Sequence, residues 1–265
     1  MKILVHLHLY YHDMLDEMLM YIKNLEDYNF DLYVTIVKEN PEIENRIKEF
    51  KHDAKIIITE NKGFDVYPFL SVLAQVNLQH YHYIIKLHTK QNMTKAVVLH
   101  GKYYISSGPY WRDILLCFLK SSERFRKALE MLRNDDIGMI SHYKLIDDEI
   151  GECNELRALD LLKETGLHLL NKKFVMGTMF ICKADLLKPL KKLNLQEFKE
   201  SDNFTTLGSK RDGSLAHAYE RLFGWIIYSQ NKKIKPLYQP KNIDLIKNYI
   251  MIKFLKYKKI ITRKH

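Results

Sequence analysis

A chain of 265 residues, 46% hydrophobic and 28% charged, is long enough to bury a sizeable core and too ordinary in composition for a disordered, fibrous or disulfide-scaffold protein. Forty-two Lys and Arg against 32 Asp and Glu leave a formal net charge of +10, which favours an anionic partner such as nucleic acid, a phosphorylated metabolite or an acidic lipid surface. Three cysteines, Cys117, Cys153 and Cys182, without CxxC spacing argue against a zinc ribbon and for a reducing, cytoplasmic compartment.

Residues 2–10 alternate, with Ile3, Val5, Leu7 and Leu9 on one side and Leu4, His6, His8 and Tyr10 on the other. Histidines interrupt the apolar run and no small-residue cleavage site follows, so the segment reads as a first strand and not as a signal peptide. A helix is expected over 14–25, a strand over 30–37, and a helix over 41–51 opened by Pro41. A third strand over 54–60 ends in NKGFD, a helix over 67–78 starts near Pro68, and YHYIIKLH (81–88) is the fourth strand. Strand and helix alternating at this spacing imply right-handed crossovers and a Rossmann-like, three-layer α/β/α fold with a mostly parallel central sheet. Ligands of such sheets bind beyond the carboxyl ends of the strands, where HLHLYYHD, TENKGFD and KLHTKQ fall on one rim.

The second half is less regular. One long helix or two cover 110–133, a short strand 135–141, a strand running into a helix 174–187, and an apolar-faced helix 215–229. No repeat or flexible linker divides the chain. It is expected to be one domain over 1–230, with a nucleotide-binding half (1–100) and an acceptor and catalytic half (101–230), followed by a basic appendage at 231–265.

Several motifs carry chemistry, each beside a plainer explanation. The Asn61–Gly63 turn lets the backbone approach a ligand, and Asp65 beyond it is either a helix N-cap or a ligand-binding carboxylate. His6 and His8 form an HxH pair without a third metal ligand at suitable spacing, so neutral, hydrogen-bonded histidines are expected. Asp147, Asp148 and Glu149 read as a solvated acidic turn. Gly177 and Thr178 in MGTMF are either a tight packing contact or a wall against a sugar ring or phosphate. Asp212 or Ser214 caps the 215–229 helix, on which His217 and Arg221 share a face and Glu220 neighbours both. That group is a solvated ion pair or a site carrying a general base.

Taken in order, HLHLYYHDML, NKGFDVYPFL, YIIKLHTKQ, DDIGMIS, MGTMFICKADLL and DGSLAHAYERLFG resemble the rhamnan synthesis protein F family, over residues 3–228. The resemblance implies a glycosyltransferase that moves a deoxysugar such as rhamnose from a nucleotide-activated donor to a growing surface polysaccharide or lipopolysaccharide. The pattern also looks like the GT-A arrangement, in which this strand leads to an acidic D-x-D; here His88, Thr89 and Lys90 stand in its place, and no D-x-D occurs in the chain. Metal-independent transfer is therefore favoured, with Mn²⁺ or Mg²⁺ left open. Lys90 and His88 would stabilise the leaving diphosphate as cations. Glu220 is the first candidate for the base and Asp65 the second. Only the strand and the NKG turn carry over residue by residue; the candidate donor site comprises His8, Tyr10, Tyr11, Asn61, Gly63, Asp65, His88, Thr89, Lys90, Gly177, Thr178, His217 and Arg221, with Tyr10 and Tyr11 expected to stack on the nucleobase. A glycan or lipid-linked glycan is the acceptor, and the basic tail would hold the enzyme peripherally at the cytoplasmic membrane face. A non-catalytic carbohydrate- or nucleotide-binding module of an assembly complex is the competing reading. A nucleic-acid partner is not expected, since no helix-turn-helix, RNP-like or finger pattern is present.

Overall fold

A computed structural model describes residues 1–99, 101–148, 152–199 and 214–261. The first half follows the expected order: β1 (Lys2–His8), α1 (Leu15–Lys23), β2 (Asn29–Ile36), α2 (Pro41–Phe50), β3 (Lys55–Ile58), α3 (Val66–Gln75) and β4 (Tyr83–His88). A hairpin of β5 (Val97–Leu99) and β6 (Tyr103–Ile105) comes next, then α4 (Tyr110–Leu115), α5 (Ser122–Leu132), β7 (Ile137–Ser141) and β8 (Ile146–Asp147). The chain continues through α6 (Glu152–Glu164), β9 (Phe174–Val175), β10 (Phe180–Lys183), α7 (Leu215–Ser229), β11 (Lys233–Pro236) and α8 (Asn242–Ile261).

Among the described residues seven strands form the central sheet, in the order β11-β7-β10-β4-β1-β2-β3. All run parallel except β10, which is antiparallel to both its neighbours. The crossovers from β1 to β2 and β2 to β3 step one way and that from β3 to β4 steps back. Right-handedness therefore puts α1 and α2 on one face of the sheet and α3 on the other. α5 joins the α1 layer, where Tyr28 and Phe125 meet edge to face at 5.0 Å. α7 joins the α3 layer through Phe69, Phe180 and Phe223, whose ring centroids lie 5.7 to 6.3 Å apart. With helices on both faces, both alternating sets of β1 side chains are buried.

The 110–133 segment is two helices, the second of the two alternatives expected, and Ser121 caps the later one by accepting from the Arg124 amide. Three expectations change. The 174–187 run is two strands in different sheets, because Gly177 (φ +76°) and Thr178 (φ +51°) turn the chain between them. The 231–265 segment is not wholly an appendage, since Lys233–Pro236 pairs with β7 as an edge of the central sheet. Asp147 is not solvated: it is buried and paired with Lys102 at 2.6 Å, while Asp148 is exposed and Glu149 lies outside the described residues.

Candidate functional site

Strands β1, β3 and β4 end on one rim, as a doubly wound sheet requires. There a cleft of about 440 Å³ is lined by His8, Tyr10, Tyr11, Asn61, Phe64, Asp65, His88, Thr89, Lys90 and Gln91. Phe64 and Gln91 are additions to the residues expected from sequence. Gly63 forms the turn behind the lining, and Gly177, Thr178, His217, Glu220 and Arg221 lie outside it.

The floor is an unusual stretch of sheet. Paired residues of parallel strands share a face, and His6 pairs with Lys86 while His8 pairs with both Thr35 and His88. Five polar side chains thus line one buried face beneath α3, where each needs a partner. The Thr35 hydroxyl lies 3.0 Å from His6 Nε2 and 3.0 Å from His8 Nδ1. Lys86 is wholly buried; its ammonium donates to the Asp65 carboxylate and, at 2.8 Å, to Thr178 Oγ1. The Thr178 hydroxyl in turn donates to Asp65. The rings of Phe69 and Phe223 lie 5.5 and 6.0 Å from the ammonium. Sequence reading passed over Lys86, although a lone lysine in a strand buried on both faces demands a carboxylate.

Asp65 occupies the N-cap position of α3 but makes no capping bond. Gly63 (φ +63°) and Phe64 (φ +52°) are consecutive left-handed residues that swing the chain back after β3 and aim the Asp65 carboxylate at Lys86. Glycine is needed at the first: a Cβ on Gly63 would lie 2.4 Å from the Phe198 ring. Gly177 and Thr178 form a second left-handed pair that reaches the same carboxylate from the other side. A β-branched residue in that region is strained by about 1–3 kcal/mol. The strain is held by two bonds to Gly177: its amide donates to Glu220 Oε1 at 2.6 Å and its carbonyl lies 2.9 Å from His88 Nε2.

Burial alone would raise the Asp65 pKa. The charges of His88 and Lys86 and the hydrogen bonds from Lys86 and Thr178 instead hold it far below the usual carboxylate range. Burial lowers Lys86 against the pull of Asp65 and Glu220. Burial also takes His8 down to about 3 and lowers His6 and His88. At neutral pH His6 and His8 are therefore neutral and Asp65 is an ion-paired carboxylate, a weak proton acceptor. Burial works against a charged His88, while its Nε2 lies 2.9 Å from the Gly177 carbonyl and its Nδ1 3.1 Å from that of Thr89, two acceptors that only the imidazolium serves together, and Asp65 lies 3.9 Å away. Lys90, exposed at the rim, is the lysine of the lining.

The Thr89 hydroxyl accepts from the amides of Tyr10 (3.1 Å) and Tyr11 (3.0 Å) and so fixes the end of β1. The two tyrosine rings meet edge to face at 5.0 Å, with Tyr10 half exposed. On α7, Ser214 caps the helix by accepting from the His217 amide, and Asp212 lies outside the described residues. Glu220 holds Gly177 with one oxygen and the Arg221 guanidinium with the other. Arg221 also donates to the His217 carbonyl at 3.1 Å and lies 4.6 Å from the Phe174 ring centre. The His217 ring sits 6.2 Å from that of Phe64. One further residue escaped the sequence: Arg112 bonds both oxygens of Glu17 at 2.7 Å and donates to the Lys90 carbonyl at 3.3 Å, which fixes the segment after β4. Nothing in the pattern around Arg112 marks it.

Among known proteins, the chain is 26% identical over 244 residues to the uncharacterised protein WxcX of one strain of Xanthomonas campestris pv. campestris, and 27% identical to that of strain B100. Each match covers 89% of this chain and 33% of the relative, so the chain spans about a third of the length of the curated relatives it matches. Two solved structures are similar over 70% of the chain: a mycobacterial protein (15% identity, TM-score 0.34, 54% of that chain) and the glucosyl-3-phosphoglycerate synthase of Mycobacterium tuberculosis with phosphoglyceric acid (14%, 0.33, 58%). The model of one family, rhamnan synthesis protein F, matches residues 1–232, and the chain belongs to that family.

Proposed function

We propose that this chain is the donor-binding and transferring part of a polysaccharide glycosyltransferase of the GT-A type. It moves a deoxysugar such as rhamnose from a nucleoside diphosphate to a glycan or lipid-linked glycan. The observation that supports this best is the cleft at the carboxyl ends of β1, β3 and β4, where Tyr10 and Tyr11 offer aromatic surface and Lys90 a cation. In the transfer, the bond from the anomeric carbon to the diphosphate breaks and its electrons leave with the phosphate. The acceptor oxygen bonds that carbon and its proton passes to the departing diphosphate. Lys90 stabilises the departing charge, and a metal is not required for it. Asp65 and Glu220 act here as braces, the first holding Lys86 and Thr178 and the second the Gly177 turn.

The test is thermal stability against a panel of nucleotide sugars and nucleotides, in EDTA and in Mn²⁺, followed by transfer with the stabilising donor. A midpoint raised in EDTA supports metal-independent donor binding, and a rise only with Mn²⁺ refutes it. Lys90→Ala should weaken binding of the diphosphate about tenfold, the worth of one charged hydrogen bond, with the unliganded midpoint unchanged. Equal affinity would remove Lys90 from the mechanism. One observation favours the second reading, a non-catalytic binding module: Asp65 is the sole carboxylate among the described lining residues, and it is ion-paired. Donor binding without turnover on any glycan acceptor would establish that module.

A further inference from the structure

We propose that α8 is a membrane-surface helix, laid lengthwise on an anionic bilayer by its outward face. The inner face is docked: the Asn248 side chain accepts from the Tyr104 amide at 2.6 Å and donates to the Lys102 carbonyl at 2.8 Å, and Ile252 is buried. The helix therefore cannot roll to hide its other side. On that side Ile243, Ile246, Ile250, Phe254 and Tyr257 recur at helical spacing, each between 56% and 65% exposed. Such a contiguous apolar stripe marks a contact surface.

Charge selects the occupant. Between 241 and 261 the sequence holds six lysines and one acid, Asp244. Asp244 lines the inner pocket and not the outward stripe. Lys247, which also reaches the inner pocket, borders the stripe on one side and Lys253 on the other, its ammonium 5.4 Å from the centre of the Tyr249 ring. A second copy set face to face would bring lysines together with no carboxylate to answer them. Anionic headgroups answer them directly, while the apolar side chains enter the acyl boundary and Tyr249 and Tyr257 sit at headgroup level. Among the described residues no helix is long and apolar enough to cross a membrane, so the contact is one of lying on the surface. It would also bring the pocket on the inner flank of α8, about 240 Å³ and lined by Tyr104, Tyr110, Tyr143 and Lys144, within roughly one helix diameter (~10 Å) of the lipid.

Vesicle sedimentation of the full chain tests this, with zwitterionic phospholipid alone and with one part in three anionic. Binding to the anionic vesicles should be tighter by at least about tenfold. The variants Ile246→Ser/Ile250→Ser/Phe254→Ser and Lys247→Glu/Lys253→Glu should each lose about tenfold or more of it. Neither touches the cleft, so stabilisation by nucleotide should persist in both, and the membrane contact and the transferase reading stand or fall separately. No binding to anionic vesicles, or unchanged binding by both variants, would overturn the proposal. So would a serine variant whose mass in solution by light scattering is half that of the parent, which would make a second copy the occupant.

Discussion

Replacing Lys86 with Met leaves the Asp65 carboxylate, 17% exposed at the cleft, with Thr178 as its remaining close donor. Removing one partner of a buried ion pair costs about 3–5 kcal/mol, because the other charge stays out of water without compensation. For a chain of this size about 2 °C of midpoint accompanies each kcal/mol, so Lys86→Met should melt roughly 6–10 °C below the parent. The double variant Lys86→Met/Asp65→Asn removes the stranded charge and keeps an acceptor for the Thr178 hydroxyl, and should regain at least about half of the loss. Arg46→Ala, which breaks an exposed pair with Asp16, is the control and should cost under about 1 kcal/mol. Urea denaturation followed by circular dichroism at pH 7 of the parent, Lys86→Met, Asp65→Asn and the double variant gives all four corners of the cycle. Asp65 titrates below its unfolded value in the folded protein, so the contribution of the pair is complete above about pH 4 and fades as pH falls beneath it. A Lys86→Met loss under 1 kcal/mol, or a double variant no more stable than the single, would refute the view that an enclosed charge pair governs this site.

Two further outcomes follow from the same floor. His8 has a folded pKa of about 3 against an unfolded value near 6.5, so the unfolded chain takes up the proton first and stability drains as pH drops from 6.5 toward 3. Two urea titrations should show His8→Gln reducing the loss between pH 7 and pH 5 by about 2 kcal/mol; parallel losses in both proteins would clear His8 of the acid sensitivity. Gly63→Ala combines a left-handed backbone with a Cβ driven into Phe198, and should destabilise by about 2–4 kcal/mol. A midpoint within 1 °C of the parent would show that the Gly63–Phe64 turn can be rebuilt.

The parallel half of the fold was legible because its strands and helices carry their own periods, and the rim followed from topology alone. Tyr10, Tyr11, Asn61, Asp65 and Lys90 were found by where their strands end, with no need of their neighbours. What stayed hidden depends on contacts between distant segments. Lys86 drew no notice in its apolar strand because its partners Thr178, 92 residues away, and Asp65 lie on other segments. MGTMF read as continuous strand because β-branched and apolar residues outvote one glycine; the left-handed Thr178 that splits it is imposed by Glu220 and His88. Asp65 was open between a cap and a ligand-binding carboxylate, since the sequence shows the helix start but not the lysine opposite. Asp147 read as solvated because its partner Lys102 lies 45 residues away.

The reversed direction of β10 has a consequence for how the molecule assembles. Residues 2–88 can pair β1, β2, β3 and β4 among themselves through local crossovers, whereas β7 and β11 reach that sheet only across β10. Contacts of such long sequence separation close late, after their loop entropy has been met. The Lys86 side chain then waits in a half-built sheet, and its second polar partner, Thr178, arrives with the chain that leads into β10. Closure of the sheet and completion of the polar floor coincide, so a nascent chain acquires the Thr178 bonds to Lys86 and Asp65 only when the β10 segment docks.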